Sequence, residues 1–232
     1  MRVLVFDTET TGLSKSKIIG PDTLSLWPHI VQFSYVIYDT DVSDITDTYD
    51  KIVKLPSNIS ITEEVAKIHG ITNEISDEKG IEINDVLNVF FQQLKTIDLL
   101  VGHNVSFDIN MIMVELLRGI YECSTISKEL LKTYKKNLCL LTNFKIYCTL
   151  KESITLCNIK ATDRYGKEYI KFPKLLELHK VLFTSEPNNL HNSFNDILVT
   201  LRCFIKLKFD SDINTYCEKY IKITDDIGLF NL

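Results

Sequence analysis

The feature that most limits the fold of this chain is a pair of short apolar runs, each followed at once by polar residues. The first run extends from Val3 to Phe6 and ends at Asp7, and the second extends from Leu99 to Gly102. Short runs of this kind, rich in β-branched residues, are typical of strands buried on both faces of a sheet. The sequence therefore predicts two buried strands, one at the start of the chain and one near its middle.

The other patterns complete an α/β domain. Residues 29–39 and Thr48 to Val53 are rich in strand formers and predict two further strands. Apolar residues three or four positions apart predict helices over 62–70, 84–95, 107–119, 174–182 and 191–209, and Gly119 is expected to end the third of these. The stretch 120–173 gives weaker signals, with a hairpin turn at Arg164 to Lys167. Three strands, helices, a fourth strand and more helices make an α/β domain with a mixed sheet.

Size and charge narrow the function classes. The chain has 232 residues, enough for one sizeable domain, and its composition excludes a disordered, collagen-like or coiled-coil protein. A net charge of −5 argues against wrapping duplex DNA by bulk positive charge, but it fits a nuclease whose cleft needs clustered carboxylates. No apolar run is long enough to span a membrane, and Asp7 interrupts the N-terminal stretch before a signal peptide could form. We therefore expect a soluble, cytoplasmic protein with no membrane partner.

Two acids, Asp7 and Glu9, follow the first apolar run. Side chains two positions apart on a strand share a face, so both carboxylates can point to one spot at the end of that strand. Adjacent carboxylates repel each other unless a divalent cation neutralises them, and oxygen ligands of this kind suit Mg²⁺ or Mn²⁺. Aspartate, threonine and glycine are also common in turns, so the segment taken alone fits a solvated turn equally well.

Two further segments place acids at helix starts. Residues 102–108 carry Asp108 just beyond the second buried strand, and residues 190–196 carry His191 and Asp196 before a strongly apolar helix. Asparagine and aspartate are favoured in and before a first helical turn, so capping explains each segment by itself. A histidine near a helix start is also more often structural than catalytic. The shared context favours a catalytic site, because four acids and a histidine lie at strand ends and helix starts of one domain.

Taken together, the three segments resemble the three motifs of the DEDDh group of 3′–5′ exonucleases. They read Asp7-Thr8-Glu9-Thr10-Thr11-Gly12-Leu13, His103-Asn104-x-x-Phe107-Asp108 and His191-x4-Asp196. They occur in the family's order over residues 3 to about 205, and they are most similar to the proofreading epsilon subunit of bacterial DNA polymerase III and its stand-alone relatives. The resemblance implies a ribonuclease H-like mixed β-sheet flanked by helices. It places an exonuclease domain over residues 1–210, with a C-terminal tail over 211–232 packed on that domain.

The resemblance also implies the chemistry. The metal ligands would be Asp7, Glu9, Asp108 and Asp196, which would hold two Mg²⁺ or Mn²⁺ ions with Asp7 as the bridge, and His191 would be the general base. Two such ions about 3.5–4 Å apart clamp the attacking and leaving oxygens of an in-line displacement, while the imidazole takes the proton of the attacking water. The implied reaction releases nucleoside 5′-monophosphates from the 3′ end of single-stranded or frayed DNA, in proofreading or repair.

Six more residues are expected, by the same resemblance, to contact the substrate: Thr10, Leu13, Glu64, His69, Asn104 and Phe107. Thr10 and Leu13 match positions at the terminal nucleotide. Residues 64–72 resemble the family segment that ends in His-Gly-Ile beside that nucleotide, although a helix that simply stops at Gly70 explains them equally well. Asn104 and Phe107 match positions at the penultimate nucleotide, and Phe107 fits the core equally well.

Other functions stay open at this point. An RNA 3′-end trimming exoribonuclease would use the same motifs, since the 2′-hydroxyl decides between the two nucleic acids. A catalytically silent nucleic-acid-binding module is disfavoured because all four acids and the histidine are present. A phosphatase with Asp7 as nucleophile would carry an aspartate where Glu9 stands.

Two segments give weak signals about partners. The lysines from Lys128 to Lys136 could follow the phosphates of a single strand, although such a run is usually only a solvated face. Residues 226–230 are faintly similar to sliding-clamp-binding peptides but lack their glutamine, which argues against that role. A polymerase or sliding-clamp partner stays open. The short segment after the third motif leaves no room for the polymerase-binding tail of the epsilon subunit, so we expect a stand-alone enzyme.

Overall fold

A five-stranded mixed sheet forms the centre of the structure, which is a computed structural model describing residues 1–121 and 127–230. Strand β1 pairs antiparallel with β2 and parallel with β4, β2 pairs antiparallel with β3, and β4 pairs parallel with β5, which gives the order β3-β2-β1-β4-β5. The strands are β1 (Arg2–Thr10), β2 (Ile30–Asp39), β3 (Asp44–Ile52), β4 (Leu99–Gly102) and β5 (Ile146–Cys148).

Helices cover both faces of this sheet. They are α1 (Glu63–His69), α2 (Asn73–Lys79), α3 (Ile83–Leu94), α4 (Val105–Tyr121), α5 (Lys128–Thr142), α6 (Thr149–Glu152), α7 (Ile154–Cys157), α8 (Leu175–Leu182), α9 (Ser193–Phe209) and α10 (Glu218–Asp226). Short 3-10 helices span Pro21–Leu26 and Ile213–Thr215, and a separate hairpin is made of β6 (Lys160–Thr162) and β7 (Glu168–Ile170). The predicted mixed sheet flanked by helices is confirmed.

Strand β1 contributes buried side chains to the core on both faces of the sheet. Leu4 and Phe6 are fully buried with α3, α4 and α5 on one face of the sheet. Val3 and Val5 are fully buried with α8, α9 and α10 on the other face. Successive side chains of a strand point to opposite faces, so a run of four apolar residues serves both layers at once. The same alternation decides which helix each polar residue beyond Phe6 will meet.

Several elements differ from the sequence-based expectations. Strand β1 continues through Asp7 to Thr10, and β3 begins at Asp44 rather than Thr48. The sheet has a fifth strand, β5, whose three residues are too few to give a periodic signal. The basic run at 128–136 is the first part of helix α5.

Gly119 does not end helix α4, which continues to Tyr121. A Cβ atom at Gly119 would lie 2.4 Å from the ring of Tyr134 on α5, so the glycine permits the close approach of the two helices. The prediction that Gly119 ends the helix is wrong, because the sequence does not show which side chain packs against a glycine inside a helical pattern.

Residues 211–230 pack on the α8 and α9 side of the same sheet. Tyr220 and Leu229 are fully buried among the α8 and α9 side chains. Phe230 stacks on His179 with ring centroids 5.4 Å apart, and the Arg202 guanidinium lies 4.8 Å from the Phe230 ring centre. None of the helices in residues 1–121 and 127–230 combines the length and the apolar character that a bilayer crossing requires.

Candidate active site

Three of the predicted acids meet on one face of the sheet. Asp7 and Glu9 are two positions apart on β1, opposite Ser34 and Gln32 of β2, and they share the face that α9 covers. Asp196 lies in the first turn of α9. One carboxylate oxygen from each of the three acids can be chosen so that all three atoms lie within 4.8 Å of one another.

The start of α9 is tied directly to the strands that carry the acids. The Ser193 hydroxyl donates to the Asp7 carbonyl (2.9 Å), and the Ser193 N–H donates to Oε1 of Gln32 (3.2 Å). The Asn192 side chain caps the helix by accepting the N–H groups of Phe194 (3.1 Å) and Asn195 (3.4 Å). These contacts fix where the helix begins, and hence where the Asp196 carboxylate points.

Asp108 approaches from the opposite layer of the fold. It lies in the first turn of α4, and its Oδ1 accepts both the N–H (3.1 Å) and the hydroxyl (2.8 Å) of Thr8. Thr8 lies between Asp7 and Glu9 on β1, so its side chain points to the α4 side. Asp108 is therefore adjacent to the cluster of Asp7, Glu9 and Asp196 but is not one of the three that converge.

The pKa values of all four acids are raised. Burial raises the pKa of Asp7 to about 7, and burial together with the charge of Asp7 raises the pKa of Glu9 to about 8. The pKa values of Asp108 and Asp196 are raised well above their ordinary value by burial and by the charge of Asp7. Buried carboxylates without a cation resist ionisation, and a bound cation reverses that preference.

The residues present fit a divalent metal. Carboxylate oxygens are the ligands that Mg²⁺ and Mn²⁺ prefer, and three of them converge here. Within residues 1–121 and 127–230, no lysine or arginine forms an ion pair with these three acids. Asp7, Glu9 and Asp196 would hold the ion, and Asp108 would extend the ligand set from the α4 side.

His191 lies in the segment that leads into α9. Its backbone has a φ of 68°, in the left-handed region that few residues other than glycine adopt, and its N–H donates to Oδ1 of Asp196 (3.3 Å). The side chain is exposed to solvent. Residues held in this region cluster at functional sites, since surrounding structure must compensate the strain.

Three of the residues predicted to meet the terminal nucleotide, Thr10, Leu13 and His69, lie at or beside the end of β1. Thr10 is buried and its hydroxyl donates to the Gly12 carbonyl (2.6 Å), whereas Leu13 is 83% exposed, which is unusual for a leucine. His69 is buried at the end of α1. Burial lowers its pKa, and the backbone of Thr10 opposes that effect, so this histidine lies beside the strand end. Glu64 is exposed on α1.

Asn104 lies in the turn between β4 and α4, and Phe107 lies in the first turn of α4. Asn104 is exposed with a φ of 65°, and its carbonyl accepts the Phe107 N–H (2.8 Å). Phe107 is half-buried and packs on the core cluster beneath α4. It therefore has a structural role in addition to any contact with substrate.

Sequence reasoning missed two residues that position the acids, Thr8 and Ser193, and the bridging role of His103. Thr8 and Ser193 lie inside the motifs, but their hydrogen bonds join segments 100 or more positions apart in the chain. The ring of His103 bridges the Thr149 hydroxyl through Nδ1 and the Pro173 carbonyl through Nε2, each at 3.0 Å. Burial lowers the pKa of His103 to about 4, so the ring is neutral and Nε2 carries the proton that Pro173 accepts.

Comparison with known proteins agrees with this geometry. Residues 4–204 match the sequence profile of a family described as exonuclease, RNase_T. The chain belongs to this exonuclease family. The predicted membership of the DEDDh-type 3′–5′ exonuclease family is thereby confirmed. Members of the family generally use divalent metals, in agreement with the acidic cluster. No curated protein matches the sequence of this exonuclease.

Solved structures share the fold of this exonuclease. Escherichia coli exonuclease I in complex with a dT13 oligonucleotide superposes with a TM-score of 0.57 at 16% identity, covering 88% of this chain and 41% of that one. Exonuclease I from Methylocaldum szegediense gives 0.58 at 15%, covering 92% and 42%. Exonuclease X in complex with 5′ overhanging duplex DNA gives 0.53 at 21%, covering 90% and 92%.

These likenesses confirm the ribonuclease H-like fold. The chain spans less than half the length of the exonuclease I chains it matches, and about nine-tenths of exonuclease X.

Proposed function

We propose that this chain is a metal-dependent 3′–5′ exonuclease that releases nucleoside 5′-monophosphates from single-stranded or frayed DNA, in proofreading or repair. The observation that carries the proposal is the convergence of Asp7, Glu9 and Asp196 on one face of the sheet, with raised pKa values. Ionising such a group destabilises the fold unless a cation neutralises it. The DNA present in the exonuclease I and exonuclease X structures supports the choice of nucleic acid.

The proposed cofactor is a pair of Mg²⁺ or Mn²⁺ ions, held by Asp7, Glu9, Asp108 and Asp196. When bound, such ions lower the pKa of a water nucleophile and stabilise charge on the leaving oxygen. The four carboxylates place that chemistry at the end of β1. Thr8 holds Asp108 in place, and Ser193 holds the turn that carries Asp196.

The remaining roles fall to residues around the cluster. An imidazole nitrogen of His191 takes the proton of the attacking water as general base. The exposed side chain of Leu13 packs against the terminal base, and Thr10 and His69 border the same nucleotide with Glu64 at the rim. Asn104 and Phe107 contact the penultimate nucleotide in this proposal. The leaving group is a 3′-oxygen, so each turnover releases one 5′-monophosphate.

The direct test is digestion of a single-stranded DNA and an RNA of equal sequence, each labelled at the 5′ end, with Mg²⁺ and then with EDTA. We expect a ladder of DNA products shortened from the 3′ end, mononucleotide release, and no activity in EDTA. Faster cleavage of RNA would assign the chain to 3′-end trimming of RNA. Shortening from the 5′ end, or full activity in EDTA, would overturn the proposal.

A second comparison tests the requirement for an unpaired end. The terminal base must leave the stack to reach the carboxylates, which costs a few kcal/mol in a paired duplex. We expect single strands and mismatched 3′ ends to be digested faster than a blunt duplex with the same terminal sequence. Equal rates on the three substrates would contradict this part of the proposal.

A further inference from the structure

The hairpin of β6 and β7 is the one described element of this chain whose apolar and aromatic residues contribute to none of the core clusters. It occupies the connection between α7 and α8, residues 158–174, and consists of two three-residue strands joined by a turn at Arg164 to Lys167. A two-stranded hairpin is marginally stable by itself. Since the hairpin adds nothing to the core clusters, it points to a role other than core packing.

The hairpin returns to the body of the fold at the residue that follows β4, the strand paired with β1. His103, the residue after β4, bonds through Nε2 to the carbonyl of Pro173, where the hairpin returns to the body of the fold. Phe172 directly precedes that anchor. Tyr169 is four residues from Pro173, hence within about 14 Å of it, because an extended chain advances at most about 3.3–3.6 Å per residue. The hairpin thus projects from the edge of the candidate active site.

The charge of this segment is opposite to that of the rest of the protein. Residues 158–174 carry five cationic side chains and two acidic ones in a chain whose net charge is −5. The cations are Lys160, Arg164, Lys167, Lys171 and Lys174. Asp163 is used within the turn, where Oδ1 accepts the N–H groups of Tyr165 and Lys167, and Lys171 pairs with Glu177 on α8. Glu168 is the remaining acid.

Aromatic rings alternate with these cations and are open to solvent. Tyr165 is 79% exposed, Phe172 is 63% exposed and Tyr169 is 49% exposed. The Arg164 guanidinium lies 4.8 Å from the centre of the Tyr165 ring, so one planar cation and one ring already form a stacked pair at the tip. Rings that alternate with cations in this way match bases and phosphates that alternate along a single strand.

We propose that the β6–β7 hairpin is a binding platform for the single-stranded segment that lies 5′ of the nucleotides held at the carboxylates. Tyr165, Tyr169 and Phe172 stack on bases, and the neighbouring cations contact phosphates. This inference rests on the proposed exonuclease function, because it assigns the platform to the same substrate strand. The platform increases affinity for substrates longer than those that the carboxylate site and its loops can hold, without taking part in the chemistry.

The test measures binding of fluorescent dT20 and dT3 by anisotropy in EDTA, which prevents cleavage. Tyr165→Ala and Tyr169→Ala should each weaken dT20 binding about fivefold or more, the loss expected for one base–aromatic stack. Tyr165→Phe keeps the ring and should retain parental affinity. The double variant Arg164→Ala/Lys167→Ala should reduce the slope of log K against log salt by about 1.4, since each phosphate contact on a single strand contributes about 0.7. Binding of dT3 should change little.

A matched control is available at the far end of α9. Lys208 and Phe209 are an exposed cation and ring next to each other, and 12 residues of helix place Lys208 about 18 Å from Asp196. Lys208→Ala and Phe209→Ala should leave dT20 affinity unchanged. Thermal melting of every variant excludes unfolding as the cause of a loss.

The two proposals fail in different ways. If the parent protein binds dT20 but releases no nucleotide with Mg²⁺, the exonuclease function fails while the hairpin measurement still stands. If the parent degrades DNA and the hairpin variants bind dT20 as tightly as the controls, the platform is contradicted and the surface serves some other partner, such as a protein. Equal weakening of dT3 and dT20 would likewise contradict it, since the effect would then lie at the carboxylate site.

Discussion

Asp7 is the residue that connects the other parts of the candidate site. Its side chain faces Glu9 and Asp196, its carbonyl anchors Ser193, and its charge raises the pKa values of the other three acids. Placing these acids together lowers the stability of the folded protein. A cation recovers that stability, so metal binding and folding are linked at this residue.

The raised pKa values predict how stability depends on pH. Folded Asp7 and Glu9 without metal titrate near 7 and 8, whereas carboxyls in the unfolded chain titrate near 4, so the folded state binds more protons between these limits. The free energy of unfolding of the metal-free protein should therefore fall as the pH rises from about 4 to 8. Added Mg²⁺ or Mn²⁺ needs ionised ligands and should raise Tm more at pH 8 than at pH 6. An equal or absent shift at the two pH values would count against a carboxylate metal site.

Thr8 tests whether the position of Asp108 matters. Thr8→Val keeps the shape of the side chain but removes the hydroxyl that donates to Asp108 Oδ1, leaving only the backbone N–H. Loss of one such hydrogen bond should cost about 1–2 kcal/mol of stability. We expect kcat to fall about tenfold with KM little changed, measured on a short single-stranded DNA. Thr48→Val on the exposed side of β3 is the control, and an unchanged kcat in Thr8→Val would show that Asp108 needs no such support.

At the scale of elements, helix α4 anchors the loop that precedes β2. Arg118 is buried on α4, and its guanidinium donates to the carbonyls of Leu24 (3.1 Å), Trp27 (2.7 Å) and Pro28 (3.0 Å). It also bonds to Glu115 at 2.7 Å. The same loop carries Leu13 at its exposed beginning. One cation therefore holds the base of a segment that is proposed to contact the terminal nucleotide.

Replacing this cation should affect both stability and substrate binding. Arg118→Met removes the donors and leaves Glu115 buried beside His29, an imidazole whose pKa is lowered to about 4 by burial and by Arg118. Breaking a buried ion pair costs about 3–5 kcal/mol, so Tm should fall by about 10 °C. Because the loop loosens, KM for single-stranded DNA should rise several-fold at temperatures where the variant is folded. A lowered Tm with parental KM would show that the loop needs no such anchor.

At the scale of the whole molecule, the sequence predicted most of the architecture and named the three acids that the structure brings together, Asp7, Glu9 and Asp196. The alternation rule placed Asp7 and Glu9 on one face, and the apolar run before them predicted a strand covered on both sides. The sequence could not show which layer of helices carries each of the other two acids. Asp196 lies in the α9 layer and Asp108 lies in the α4 layer. These layers cover the two faces of the sheet to which β1 directs its odd-numbered and even-numbered residues.

The elements that sequence reasoning missed share a physical cause. Strand β5 is three residues long, and helix α4 passes through Gly119 because Tyr134 fills the space beside it. Tertiary packing decides both, and no local pattern reports it. The hydrogen bonds of Thr8, Ser193 and His103 likewise join distant segments. By contrast, two of the motifs found in the sequence coincide with local backbone strain. His191 and Asn104, one in each motif, both adopt the left-handed backbone conformation.

The most direct test of a metal-dependent site with a separate general base is a single-turnover digestion of one 5′-labelled oligonucleotide by the parent, Asp7→Asn and His191→Ala at saturating Mg²⁺. Asp7→Asn removes a charge from the centre of the ligand set and should abolish both the metal-induced rise in Tm and the cleavage. His191→Ala leaves the carboxylates intact and should keep that rise while losing about 10²–10⁴ in rate, the range of a positioned acid or base. Metal-dependent cleavage at the parental rate by Asp7→Asn would contradict the central claim, and a parental rate in His191→Ala would remove the histidine from the chemistry.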